Sequence, residues 1–278
     1  MTTVAATPQP DQQPELWNDH VAVYEAVFEP LTLAFARHAL DRLSLRPGVR
    51  LLDLAAGSGG AALAAADDGA EVLAVDASAR MVARLRARAR EAGVDAHVRG
   101  EVMDGTALAL ADGDFDAAVS VLGVILFPDA VAGMREMARI LKPGGRAAVV
   151  TWTAPERYEL IARLLGAIAA VRGPQPPPAS LPAQLRFRDE AEFRALFGAA
   201  DLRVDAVLRV EEQLRAPSAR WLASHMSFAP GMAALMRSLG GDHEHVMAKF
   251  VESIELDQGT DEIALGAVAF VGVATKPV

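Results

Sequence analysis

Between Val49 and Trp152 short apolar runs alternate with segments of helical periodicity, set too far apart for hairpins to join consecutive runs. That rhythm is the strongest constraint on the fold. Val49 to Ala55 reads as a strand that runs into Gly57-Ser58-Gly59-Gly60 and then an alanine-rich helix to Asp67. Glu71 to Asp76 is a second strand. Ser78 is placed to cap a helix reaching about Ala92, with Met81, Val82 and Leu85 on its apolar side. Asp95 to Arg99 reads as a third strand and Phe115 to Leu122 as a fourth. A helix over Asp129 to Leu141 stops at Lys142-Pro143-Gly144-Gly145, ahead of a fifth strand, Arg146 to Trp152. Strands separated by helices pair in parallel. Right-handed crossovers then give an open, doubly wound α/β sheet covered on both faces.

The flanks follow a different rhythm. Leu16 to Ser44 predicts two helices broken near Pro30, with Trp17, Val21, Tyr24 and Phe28 at helical spacing in the first. After Trp152 come an amphipathic helix (Glu156 to Arg172), a stiff proline-rich linker (Gly173 to Pro182), a helix (Asp189 to Ala200) and a strand (Leu202 to Leu214). Ser218 to about Leu256 is helical and rich in methionine, and Ile263 to Thr275 closes the chain as a strand. The expected division is a tail and helical cover over 1–44, an α/β core over 45–216, a helical insertion over 217–260 and a closing strand over 261–278.

Composition narrows the function. With 278 residues and 52% hydrophobic content the chain can bury a large core, and without cysteine it forms no disulfide, thiolate metal site or cysteine nucleophile. Lys and Arg number 27 against 36 Asp and Glu, a net charge of −9, which argues against a surface built to neutralise nucleic-acid phosphates. The longest apolar run, Ala117 to Phe127, is too short to span a bilayer, and the amino terminus has no basic flank or apolar core of a signal peptide. The expectation is a cytoplasmic protein without membrane insertion.

The glycine turn after the first strand brings backbone N–H groups to the carboxyl edge of the sheet, where open α/β sheets bind ligands. Ala55, Ala56 and Gly57 leave a ligand room against the main chain, and the turn lacks the Gly-Lys-Ser/Thr ending of a nucleoside triphosphate loop. Asp76 closes the second strand 19 residues after Gly57, about the interval at which an acid meets a ribose. An adenosine-containing cofactor follows, of either the nicotinamide or the sulfonium kind. Asp53, four positions before Gly57, separates the two. Its charge opposes a pyrophosphate and favours a sulfonium and an ammonium group.

The stretch Leu51-Leu52-Asp53-Leu54-Ala55-Ala56-Gly57-Ser58-Gly59 closely resembles the first motif of the class I S-adenosylmethionine (SAM)-dependent methyltransferases. Ala74-Val75-Asp76-Ala77-Ser78, with Met81, resembles their second motif. Phe115 to Ser120 resembles the fourth-strand motif, and Arg139 to Arg146 is similar to the turn before strand five. The likeness spans about Trp17 to Trp152 plus the closing strand and is greatest to the small-molecule, ubiquinone-biosynthesis type. It implies a seven-stranded, mostly parallel Rossmann-like sheet, with SAM as cofactor and a small, largely apolar acceptor. Asp76 would meet the ribose, Ala77 and Met81 the adenine, and Asp104, beside Met103 and Gly105, the adenine amino group. Asp53, Ala55, Ala56, Gly57, Ser120 and Val121 complete the expected cofactor site, under a cover helix carrying Trp17 and Tyr24. The insertion would form a lid, placing Trp152, Trp221, His225, Met226 and Phe228 around an aromatic, quinone or natural-product-like acceptor.

Candidates for a general base are His20, Tyr24 and His225. The alternatives are an NAD(P)-dependent oxidoreductase and a SAM-binding protein without catalysis. The arginines at 80, 84, 86, 88 and 90 read as a solvated helix face. Asp242-His243-Glu244-His245 lacks metal-site spacing and reads as a polar helix start, so no metal is expected.

Overall fold

The predicted alternation is present as a single seven-stranded sheet in a computed structural model that describes residues 7–176 and 180–278. Positions 177–179 of the proline-rich linker and the first six residues of the tail lie outside the described residues. The strands are β1 (Arg50–Leu54), β2 (Glu71–Asp76), β3 (Val98–Val102), β4 (Phe115–Val121), β5 (Leu141–Trp152), β6 (Arg203–Ala216) and β7 (Ile263–Thr275). Their order is β3-β2-β1-β4-β5-β7-β6. The first five pair in parallel, whereas β7 runs antiparallel between β5 and β6. This is the seven-stranded, mostly parallel, Rossmann-like sheet that the sequence resemblance implies. Chain direction across the sheet switches between β1 and β4, so a crevice opens above the carboxyl ends of β1, β2 and β4.

Central strands are buried on both faces, and their small side chains let helices pack close. Leu51, Leu52, Ala118, Val119, Ala148 and Val149 have no exposed surface. Helices α4 (Gly60–Asp67), α5 (Ala79–Glu91), α6 (Ala130–Ile140), α7 (Glu159–Arg172) and α8 (Glu190–Gly198) cover the sheet. Ser78 accepts from the Met81 N–H and caps α5 as predicted; Asp129 caps α6 and Asp189 caps α8 in the same way.

Three boundaries depart from the sequence reading. The break between α2 (Val21–Val27) and α3 (Glu29–Leu40) falls at Phe28, because Pro30 sits in the first turn of α3, where its missing N–H costs no hydrogen bond. A short α1 (Pro14–Trp17) precedes them. The third strand begins at Val98, since Val94 to His97 form a turn in which the His97 and Val98 N–H groups both donate to the Val94 carbonyl. Lys142-Pro143-Gly144-Gly145 is not a free turn but an excursion within β5: Leu141 pairs with Phe115 and Arg146 already with Ala117. The methionine-rich segment is three helices, α9 (Ala219–Ser224), α10 (Pro230–Ser238) and α11 (His243–Gln258). His243 starts α11, and Asp242 before it accepts from Arg172 Nε at 2.8 Å.

Candidate cofactor and acceptor site

A cavity of about 870 Å³ lies over the switch point and continues beneath the helical insertion. At its sheet end β1 gives way to a turn with Ala55, Gly57 and Gly59 at φ of 60°, 55° and 93°. At Gly59 an added Cβ would stand 2.6 Å from Leu85 of α5, so the turn is both left-handed and pressed onto a helix. Asp76 fixes it from β2. One carboxylate oxygen accepts from the Gly57 N–H at 2.9 Å, the other from the Ser78 N–H at 2.8 Å. Each oxygen keeps a lone pair for hydroxyl donors. Burial holds Asp76 above the usual carboxylate range, against these two amides.

Asp53 is 1% exposed beneath this floor, and its Oδ2 has no hydrogen-bond partner among the described residues. Burial, with the Asp76 charge adding, pushes its pKa up to about 7. Tyr24 leans over the turn, within 3.9 Å of where a Gly57 Cβ would be. Its hydroxyl is 3.2 Å from Thr32 Oγ1, which donates to the Glu29 carbonyl. Burial pushes this phenol well above its ordinary value, and the charges of Glu29, Asp76 and Asp53 push it further. Burial and these neighbouring charges thus favour the protonated phenol.

Of the expected cofactor residues, Trp17, Tyr24, Ala55, Gly57, Asp76, Ala77, Met81, Met103, Asp104, Gly105 and Val121 line the cavity. Asp53, Ala56 and Ser120 stand behind the lining. Ser120 is wholly buried and accepts from the Val124 N–H at 2.9 Å, bracing the loop after β4. Asp104 is exposed at the rim, one oxygen accepting from the Thr106 N–H and hydroxyl.

The far half is walled by aromatic rings. Phe28 stacks on Phe228 with centroids 4.9 Å apart, and Trp152 lies parallel to Tyr158 at 4.7 Å. Ile161, Leu165 and Ile168 of α7 and Met232 and Leu235 of α10 complete the wall. Of the five expected acceptor residues, Trp152 and Phe228 reach this chamber; Trp221, His225 and Met226 do not. Trp221 and His225 stack on each other at 4.2 Å, and His225 Nδ1 lies 2.8 Å from the Trp221 carbonyl. Met226 is core. The cause is the short α9, after which the chain turns before Pro230 starts α10, so Phe228 faces inward while Trp221, His225 and Met226 do not. His20 is also outside the lining, with Nδ1 2.8 Å from the Ser227 carbonyl. Of the three proposed bases only Tyr24 is in the cavity.

Sequence reasoning missed two contributions. The α7 residues were legible, since apolar positions fall on more than one face of that helix and an extra apolar face needs a partner. The segment Gln9 to Pro14, ahead of the expected Trp17, carried no such signal. It crosses the cavity mouth: Gln9 donates from its amide to the Leu181 carbonyl at 3.0 Å and accepts from the Ala183 N–H at 2.8 Å. Asp11 accepts from the Gly231 N–H of α10 at 2.6 Å, and Trp17 Nε1 donates to the Asp11 carbonyl. Burial raises the Asp11 pKa, with that amide and His20 opposing.

Fold and site together define a doubly wound α/β architecture with a cavity over its switch point. Residues 51–145 match the family described as "Methyltransferase domain", and the cofactor expected from the sequence is SAM. The residues fit such a group: the unpartnered Asp53 oxygen and the Asp76 carboxylate favour its positive charge, and Gly57 leaves it a main-chain surface. The chain is 38% identical over 144 residues to a demethylmenaquinone methyltransferase of Beutenbergia cavernae, covering 50% of this chain and 58% of that one. It is 32% identical over 135 residues to an uncharacterised Mycobacterium tuberculosis protein, 49% and 47% of the two chains. It thus spans about half the length of the curated relatives it matches. Among solved structures, the YcgJ protein of Bacillus subtilis superposes with a TM-score of 0.58 at 24% identity, over 90% of this chain and 99% of that one. The [4+2]-cyclase SpnF superposes at 0.61 and 20% identity, over 98% of each chain. At those identities the likeness is one of fold.

Proposed function

We propose that this protein transfers the methyl group of SAM to a small, largely apolar acceptor that is aromatic, quinone-like or natural-product-like. The observation that carries the reading is a single cavity whose one end is the Gly57–Asp76 turn and whose other end is walled by Phe28, Trp152, Tyr158 and Phe228. Kinship with demethylmenaquinone methyltransferases over half the chain supports a ring-bearing acceptor.

Bound SAM supplies an electrophilic methyl on a positively charged sulfur. The rest of the task is alignment and exclusion of water, which can contribute on the order of 7 kcal/mol or more. Asp76 would hold the ribose hydroxyls, Ala77 and Met81 would flank the adenine, and Asp53 would offset the cofactor's positive charge from beneath the turn. The stacked rings orient a flat acceptor, and Gln9 to Trp17 shield the mouth. A net charge of −9 disfavours a polyanionic acceptor such as nucleic acid. No helix among the described residues is long and apolar enough to cross a membrane. A nicotinamide dinucleotide would place its pyrophosphate near the Asp53 carboxylate, which opposes it.

Incubation with methyl-labelled SAM and a metabolite extract, followed by mass spectrometry, tests the reading. The expected result is an aromatic or quinone-like product heavier by one labelled methyl. Saturable binding of a pyridine nucleotide with none of SAM would overturn it.

A further inference from the structure

Helix α5 presents arginines that the sequence alone reads as a solvated face, yet three of them grip the amino-terminal helices. Arg80 donates to the Asp19 carboxylate at 3.1 Å, and Arg84 Nε donates to both Glu25 oxygens at 2.9 and 3.0 Å. Arg88 goes deepest. Its Nη1 donates to Glu29 Oε1 at 2.6 Å and to the Ser58 carbonyl at 3.1 Å. The same Glu29 oxygen accepts from the Ser58 hydroxyl at 2.7 Å.

Ser58 is the middle residue of Gly57-Ser58-Gly59 and has no exposed surface. Its side chain and its carbonyl are therefore both held from behind the turn, by α3 and α5, while Asp76 holds the Gly57 N–H from the front. Glu29 is 7% exposed, and a Cβ at Gly60 would stand 3.0 Å from its Oε1, so the absence of a side chain there admits the carboxylate. A partly buried ion pair gives back in desolvation part of what it gains in attraction, so its worth to stability is modest.

We propose that Glu29 and Arg88 form a latch that sets the conformation of the Gly57–Gly60 turn, making Glu29 a positioning residue for cofactor binding. Docking of the amino-terminal cover onto α5 and the affinity for the cofactor are then one linked equilibrium. This inference rests on the SAM reading of the site.

Calorimetric titration of SAM into the full-length protein, and into its Glu29→Gln, Arg88→Lys and Ser58→Ala variants, tests it. Arg88→Lys keeps the charge but cannot bridge Glu29 and the Ser58 carbonyl in the same way, and it is the variant to use if Glu29→Gln fails to fold. Each variant should bind SAM about tenfold more weakly, the scale of a lost charge-assisted hydrogen bond. Hydrogen exchange at the amides of Ser58 and Gly59 should quicken without a matching change elsewhere in the sheet. The Glu29→Gln/Arg88→Lys pair should lose less than the sum of its single variants. Folded variants with wild-type SAM affinity and unchanged exchange would overturn the latch. If the wild type itself bound no SAM, the cofactor reading would fall, and exchange at Ser58 and Gly59 would decide the latch alone.

Discussion

Asp53 carries the largest consequence of any single residue. Its pKa is about 7 in the folded protein against 3.8 as a free side chain, because burial and Asp76 disfavour the charge. The native state thus holds this proton more tightly than the unfolded chain. That contribution to stability is complete below pH about 4 and is lost as the pH rises through about 7. Cofactor binding runs the other way, since a cation favours the ionised carboxylate. SAM affinity should rise by up to about tenfold per pH unit below 7 and flatten above it. The demethylated product, without the sulfonium charge, should show a shallower slope. Calorimetry from pH 5.5 to 8.5 checks this, and Asp53→Asn should abolish the slope. The identities of Asp53 and Asp76 were legible in the sequence through their spacing from Gly57. The unpartnered Oδ2 was not, because it depends on which neighbours burial brings near.

At the scale of elements, legibility follows burial. Strands β1, β2 and β4 are short apolar runs bounded by turns, and their limits were read to within a residue or so. Strand β3 is Val-Arg-Gly-Glu-Val, too polar to reveal its register, and it was placed three residues early. The insertion was seen as helical, but its turns were not, and those turns decide which side chains meet the cavity. Phe228→Ala should therefore depress methyl transfer strongly, whereas Trp221→Ala should leave it within a fewfold of wild type, as read by labelled-methyl incorporation. Phe228 is also 3% exposed, so its loss should lower stability by about 3 kcal/mol, visible in a denaturant titration. Helix α10 has no side-chain cap of its own. Asp11 supplies one from the far end of the chain, and Asp11→Ala should cost about 1 kcal/mol locally. Faster hydrogen exchange at Gly231 and the first turn of α10 would register it.

Over the whole molecule, the sheet is the fixed part and four segments enclose the cavity above it: the amino-terminal strap and helices, α7, the stretch around Leu181 to Leu185, and α10. These walls hold one another through few hydrogen bonds, such as those of Gln9 and Asp11, while SAM would touch several of them at once. Binding should therefore stabilise the entire fold. At a hundredfold excess over its dissociation constant the gain is roughly 2.7 kcal/mol, or a rise in melting temperature on the order of 5 °C. A differential scanning measurement with SAM, its demethylated product and NAD separates the three ligands directly.

The insertion leaves the sheet after Ala216 and returns at Ile263, and those two residues face each other as partners across β6 and β7. Both ends of the excursion thus meet at one rung of the ladder. A different segment whose termini close on that rung could be grafted there, keeping its attachment to the sheet while replacing the part of the cavity wall that α10 supplies.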